Sequence, residues 1–215
     1  MTARARGRPP RRSTYRHGDL RRALLEAGIT LARSGGPGAV VLREATRRAG
    51  VVPNAAYRHF ASRQALLQAV RAAALSMLAV AMEGELARLG RRRRSADAAR
   101  AGLRAIGSAY LRFAQEETGL FLTAFAAADA SELAAHPAQA GKSGLTPFQL
   151  LGAALDELVD ADVLLPARRN GAEFLAWSAV HGLAMLVIEG PLQSLPRVRK
   201  QDIGRRLLEM VEKGL

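Results

Sequence analysis

The 215-residue chain is predicted to be all-helical: a three-helix amino-terminal module, a long connecting helix and a larger carboxy-terminal helical body, about nine helices in all. Three observations predict this. Apolar residues recur at helical spacing along most of the chain, no segment alternates as a strand would, and glycine and proline cluster at the points where each periodic run stops. A composition of 49% hydrophobic and 24% charged residues suits such a fold with a sizeable buried core.

Leu20, Leu24, Ala27 and Leu31 form the first apolar stripe, entered through Asp19 as cap or first-turn acid, and SGGPG at 34–38 stops it. Leu42, Ala45 and Ala49 begin a short second helix closed at Gly50. Pro53, a residue favoured at the first helical position, opens a third that runs to Phe60 and Ala61. Ser62 is a good N-cap for a long fourth helix over 62–89 that carries Leu66, Leu67, Val70, Ala74, Met77, Leu78 and Ala81. Further helices are predicted near 97–116, 118–128, 147–160, 171–189 and 200–213, with 130–144 a loop holding at most one helical turn.

Charge is segregated along this framework. Residues 1–63 hold 14 arginines against 3 acidic residues, a net of +11, whereas the whole chain carries +13. Such an imbalance marks a polyanion-binding module attached to a nearly neutral body. Two short helices joined by a glycine-containing turn and braced on either side make a helix-turn-helix, whose second helix enters the DNA major groove. Asn54 can pair bidentately with adenine, Pro53 can touch a thymine methyl, and Arg43 can reach a base or a phosphate. Tyr57, His59 and Arg63 can reach phosphates; the alternative for Tyr57 and His59 is that they merely cover the helix pair. The tail RARGRPPRR cannot be helical through its two prolines, so residues 1–14 are expected to form a flexible basic arm.

The segments YRHGDLRRALLEAG, LREATRRAGV and AAYRHFASRQALL resemble the DNA-binding half of the tetracycline-repressor (TetR) family of transcriptional regulators, over roughly residues 15–70. The resemblance implies a DNA-binding domain at 15–62 and a ligand-binding and dimerisation domain at 63–215. It implies base contacts from Arg43, Pro53 and Asn54, and backbone contacts from Tyr57, His59 and Arg63, where the family has lysine at the last position. It further implies a homodimer on a palindromic operator, most simply a repressor released by a small-molecule effector. Three positions depart from the pattern. Val41 and Val52 stand where a capping Ser or Thr is common, each absence costing about 1 kcal/mol and leaving helix N–H groups free for phosphates. Thr46 replaces alanine, and its hydroxyl is expected to bond back to the Leu42 carbonyl.

In the carboxy-terminal body Trp177 and His181 lie four apart, and the WxxxHG pattern resembles a domain found on many such regulators. A core tryptophan beside a satisfied histidine would look the same. With Phe113, Phe121 and Phe125 these groups could line an apolar pocket with one polar tip, suited to a largely apolar effector. The last two helices carry stripes (Leu175, Val180, Leu183, Leu186, Val187; Ile203, Leu207, Leu208, Val211) that could pair with a second copy. GRRRRS at 90–95 reads as a solvated linker. GKS at 141–143 imitates the end of a phosphate-binding loop, but His136 stands where the first glycine belongs.

Other chemistries find little support. The chain has no cysteine, its four histidines are scattered, and no HExxH or GxSxG occurs, so neither enzyme nor metal site nor cofactor is expected. The amino terminus lacks an apolar core and FLAWSAVHGLAMLVI at 174–188 is too short to span a bilayer, so a cytoplasmic protein without a membrane partner is expected. A non-specific architectural DNA binder would also explain the charge, but would not need the neutral body with its aromatic groups.

Overall fold

The computed structural model describes residues 17–90, 95–126 and 136–215; the expected basic arm, the arginine run at 91–94 and residues 130–135 of the expected loop lie outside it. Among the described residues there are ten helices and no strand.

Helix α1 (His17–Ala39) is interrupted where SGGPG predicts a stop: Gly35 and Gly36 leave helical geometry, and Pro37 opens a last short turn. Helix α2 (Leu42–Arg48) ends in a turn at Gly50, whose φ of 68° is a left-handed conformation that glycine takes without strain. Helix α3 (Pro53–Tyr57) is shorter than expected because the chain turns at Arg58 to bury Phe60 in the core, where Arg21 stacks on its ring. Neither Val41 nor Val52 supplies a side-chain cap. The Thr46 hydroxyl donates to the Arg43 carbonyl at 2.7 Å, not to that of Leu42; the three-residue reach suits a seven-residue helix near its end.

Helix α4 (Arg63–Arg88) starts at Ser62, whose side chain accepts from Ala65 N, and it runs on from the small module into the body. By length and composition alone α4 could cross a membrane, although Arg71 interrupts its apolar run; Leu66, Val70, Ala74 and Leu78 are buried in the protein core. Helix α5 (Ala96–Glu116), capped by Ser95, is the central strut, packed against α4, α6, α7, α9 and α10. Helix α6 (Thr118–Ala124) stops short of the expected 128. A 3₁₀ turn, Pro137–Gln139, leads through 140–146 to α7 (Pro147–Asp160), which opens with a capping box of Thr146 and Gln149.

Helix α8 (Pro166–Arg169), opened by a proline after Leu165, is the element absent from the nine expected. Helices α9 (Ala172–Ile188) and α10 (Arg197–Gly214) close the body against α5. Their expected pairing stripe is corrected in part. Val180, Leu183, Val187 and Leu208 are buried inside the chain, and Ile203, Leu207 and Val211 are half-buried against the same core. Periodicity reported burial correctly but not against what.

The two parts of the chain meet where α6 packs on α1. Gly119 makes this approach, since a Cβ there would lie 2.6 Å from the Arg33 carbonyl oxygen, closer than real contacts allow. Arg33 Nε also donates to Glu117 at 2.7 Å beside it.

Candidate nucleic-acid interface and ligand cavity

Burial of Leu42, Ala45, Ala56 and Phe60 fixes which faces of α2 and α3 turn outward. The residues left on the surface include Arg43, Asn54 and Tyr57, the last 57% exposed. Arg43 makes no ion pair among the described residues, whereas its neighbours Arg47 and Arg48 both bind Glu44 and hold that carboxyl down at about 2. His59 is half-buried at the end of the turn. Pro53 occupies the first position of α3. Arg63 differs from the rest: its guanidinium donates to the Val40 and Pro37 carbonyls, both at 2.8 Å, and so ties α4 to the end of α1. That tie was not legible in the sequence, because it joins residues 23 and 26 positions apart.

The body holds a mostly apolar, partly open cavity of about 300 Å³. Its walls come from α4 (Arg71, Leu75, Met82), α5 (Leu103, Ile106, Gly107, Tyr110), the end of α6 (Ala124, Phe125), Gln139, α7 (Phe148, Leu151), α9 (Ala176, Trp177, Val180) and α10. Two of the five expected pocket residues, Phe125 and Trp177, line it. Phe121 is fully buried behind the wall, packed on Phe125 with ring centroids 4.9 Å apart. His181 touches the same ring but does not reach the cavity, and Phe113 is buried elsewhere on α5. The aromatic lining residues missed are Tyr110 and Phe148. Tyr110 continues the stripe Leu103, Ile106, Gly107 at i, i+3, i+4 and i+7; Phe113, seven residues after Ile106, keeps the same spacing but does not line the cavity, so spacing alone does not separate the two.

Tyr110 is the polar centre of the aromatic cluster. Trp177 Nε1 donates to its Oη at 3.1 Å, and His181 Nδ1 lies 2.7 Å from the same oxygen. An indole N–H can only donate, so the phenol accepts from Trp177, and we assign its own hydrogen to His181 Nδ1. His181 is then neutral, with its hydrogen on Nε2. Burial supports both assignments: it pushes the His181 ring below its ordinary 6.5 and the Tyr110 phenol above its ordinary 10. Arg71, 5% exposed, lies in the wall with its guanidinium toward the Ala124 carbonyl at 3.4 Å. Among the described residues no cluster of His, Asp and Glu could hold a metal ion.

Residues 24–70 match the family model of bacterial regulatory proteins of the tetR family, and residues 103–211 match that of the tetracyclin repressor-like carboxy-terminal domain. No curated protein is found to be similar in sequence. Among solved structures, a protein of unknown function from Rhodococcus sp. RHA1 is 26% identical, over 95% of this chain and 99% of its own, with a TM-score of 0.72. The TetR family transcriptional regulator PfmR from Thermus thermophilus is 20% identical, over 90% and 95%, with a TM-score of 0.56. HlyIIR, a hemolysin II transcriptional regulator, is 14% identical, over 91% and 98%, with a TM-score of 0.52. At these identities the last two show likeness of fold alone.

Proposed function

The chain belongs to the tetracycline-repressor family of DNA-binding transcriptional regulators, which are not enzymes, and we propose that it is a cytoplasmic repressor released from a palindromic operator by a small, largely apolar effector. The observation that carries this reading is the sharing of elements between the two sites. Helix α4 forms one cavity wall with Leu75 and Met82 and begins beside the DNA-binding helices at Ser62. Helix α6 ends in the cavity with Ala124 and Phe125 and rests on α1 through Gly119. A ligand that spreads these walls displaces the recognition helix.

In this reading Arg43, Pro53 and Asn54 approach bases, while Tyr57 and His59 hold phosphates and Arg63, engaged with the Val40 and Pro37 carbonyls, offers a phosphate its remaining N–H groups. A symmetric dimer sets two copies of α3 into successive major grooves, with half-sites about one helical turn apart or slightly more. The dimer contact falls on the face of α9 that the chain leaves uncovered, where Leu175 is 66% and Leu186 45% exposed. Gly182 lies between them, with nothing near the position of an added Cβ. Ligand and operator must weaken each other's binding by one common factor.

Selection of duplex fragments by the purified protein, followed by sequencing, tests the base assignments. The wild type enriches a palindrome, and Asn54→Ala loses preference at one position of each half-site, by about 1–3 kcal/mol. An unchanged preferred sequence in Asn54→Ala contradicts the assignment. Flat binding with a steep salt slope would favour the architectural reading.

A further inference from the structure

One wall of the cavity is a strap rather than a helix. Residues 136–146 run along α4 on their way to α7, and Gln139 and Thr146 face the cavity. Within the strap Gly141 N donates to the Leu145 carbonyl and Gly144 N to that of Gly141, so 141–145 is a closed turn. The strap is bound to α4 at two places. Ser76 Oγ donates to the Ala140 carbonyl at 2.7 Å. Glu83 accepts from Lys142 N and Ser143 N, both at 2.8 Å, and from Ser143 Oγ at 2.6 Å.

This arrangement accounts for the GKS stretch at 141–143. Its backbone N–H groups do cradle an anion, and the anion is a carboxylate supplied by the chain itself. These donors hold the Glu83 carboxyl below its ordinary value despite partial burial. Register makes the contact relevant to the cavity. Leu75 and Met82 line the cavity seven residues apart, and Ser76 and Glu83, each one position on, grip the strap with the same spacing.

We propose that the 136–146 strap is the movable wall through which ligand enters the cavity, and that Glu83 is the latch holding it closed on α4. The proposal rests on the reading of this cavity as the effector site. Opening releases the Glu83 carboxylate to water and frees the turn as a unit. Because the latch sits on the helix that continues to the DNA-binding module, admission of ligand and freedom of that helix change together.

Trp177, the chain's single tryptophan, lines the cavity and reports on it. Acrylamide quenching of Trp177 is measured in the full-length wild type and in Glu83→Gln, Gly141→Ala and Ser143→Ala. Gly141→Ala attacks the latch from the loop side, since its Cβ would fall 2.6 Å from the Glu83 carboxyl carbon and 2.7 Å from Oε2. The quenching constant is expected to rise about twofold in Glu83→Gln and Gly141→Ala, and less in Ser143→Ala, which keeps both backbone donors. The neutral dye N-phenyl-1-naphthylamine, followed by energy transfer from Trp177, is expected to associate about tenfold faster with Glu83→Gln, the rate equivalent of one charge-assisted hydrogen bond.

Equal quenching constants and equal dye association rates in natively folded variants overturn the latch. Should Glu83→Gln fail to fold, Gly141→Ala and Ser143→Ala, with the larger rise in the first, decide the question. Absence of energy transfer to the dye in the wild type counts against the cavity as a ligand site, while the acrylamide result still decides the latch.

Discussion

Tyr110→Phe removes one oxygen and leaves two groups without a partner. The Tyr110 side chain is 3% exposed, and its hydroxyl is the acceptor for Trp177 Nε1–H and the donor to His181 Nδ1. Each such bond contributes about 0.5–1.5 kcal/mol net, and half-burial of both partners limits their return to water, so the loss should be about 2 kcal/mol. The ring itself stays, with its edge-on contact to Phe121 at 5.3 Å, so no cavity term is added. In a protein of this size 1 kcal/mol moves Tm by about 2–4 °C, giving a fall of about 4–8 °C. Thermal unfolding followed by circular dichroism measures it. The cycle with Trp177→Phe should show a coupling of about 1 kcal/mol, because that residue loses the same bond. A Tm within about 1 °C of wild type, or a coupling near zero, would falsify the three-residue network.

The remaining expectations concern the contacts between parts. Gly119→Ala should cost about 1–3 kcal/mol in urea unfolding, because the atoms its methyl meets are backbone carbonyls of α1 that cannot turn aside; an unchanged midpoint contradicts the close packing. His181 has a folded-state pKa held by burial below its unfolded value, so the unfolded chain takes up the extra proton first. Stability from this residue is therefore present above about pH 6.5 and lost as pH falls below it, and His181→Gln should flatten the Tm profile between about pH 7 and 5. Gly182→Arg, placed on the exposed face between Leu175 and Leu186, should give a folded monomer by sedimentation; a dimer of unchanged strength moves the interface elsewhere.

Local signals carried most of the fold. Pro53 at the first turn of α3, Gly50 at the turn and Ser62 at the cap are short-range devices, and the helix-turn-helix was legible from them. The same signals placed α7 and α9 within a residue or two. What periodicity does not carry is the identity of the facing partner. Val180, Leu183 and Val187 read as a free stripe until α5 and α10 were seen to cover them. The cavity was half legible for this reason: Trp177 and Phe125 announce themselves by residue type, whereas Tyr110 is chosen by its place on α5. Contacts between distant positions, such as Arg63 with Pro37 or Glu83 with Ser143, leave no periodic trace at all.

The measurement that bears most directly on the regulator reading is hydroxyl-radical footprinting of the protein on a duplex enriched by selection. Two α3 helices held by one dimer predict two protected patches on one face of the duplex, related by a two-fold axis and separated by about one helical turn. Two-chain stoichiometry at each site would accompany them. Protection spread evenly along the duplex, with no symmetric pair at any protein concentration, would contradict specific dimeric binding and leave the arginine-rich module as a general DNA-coating surface.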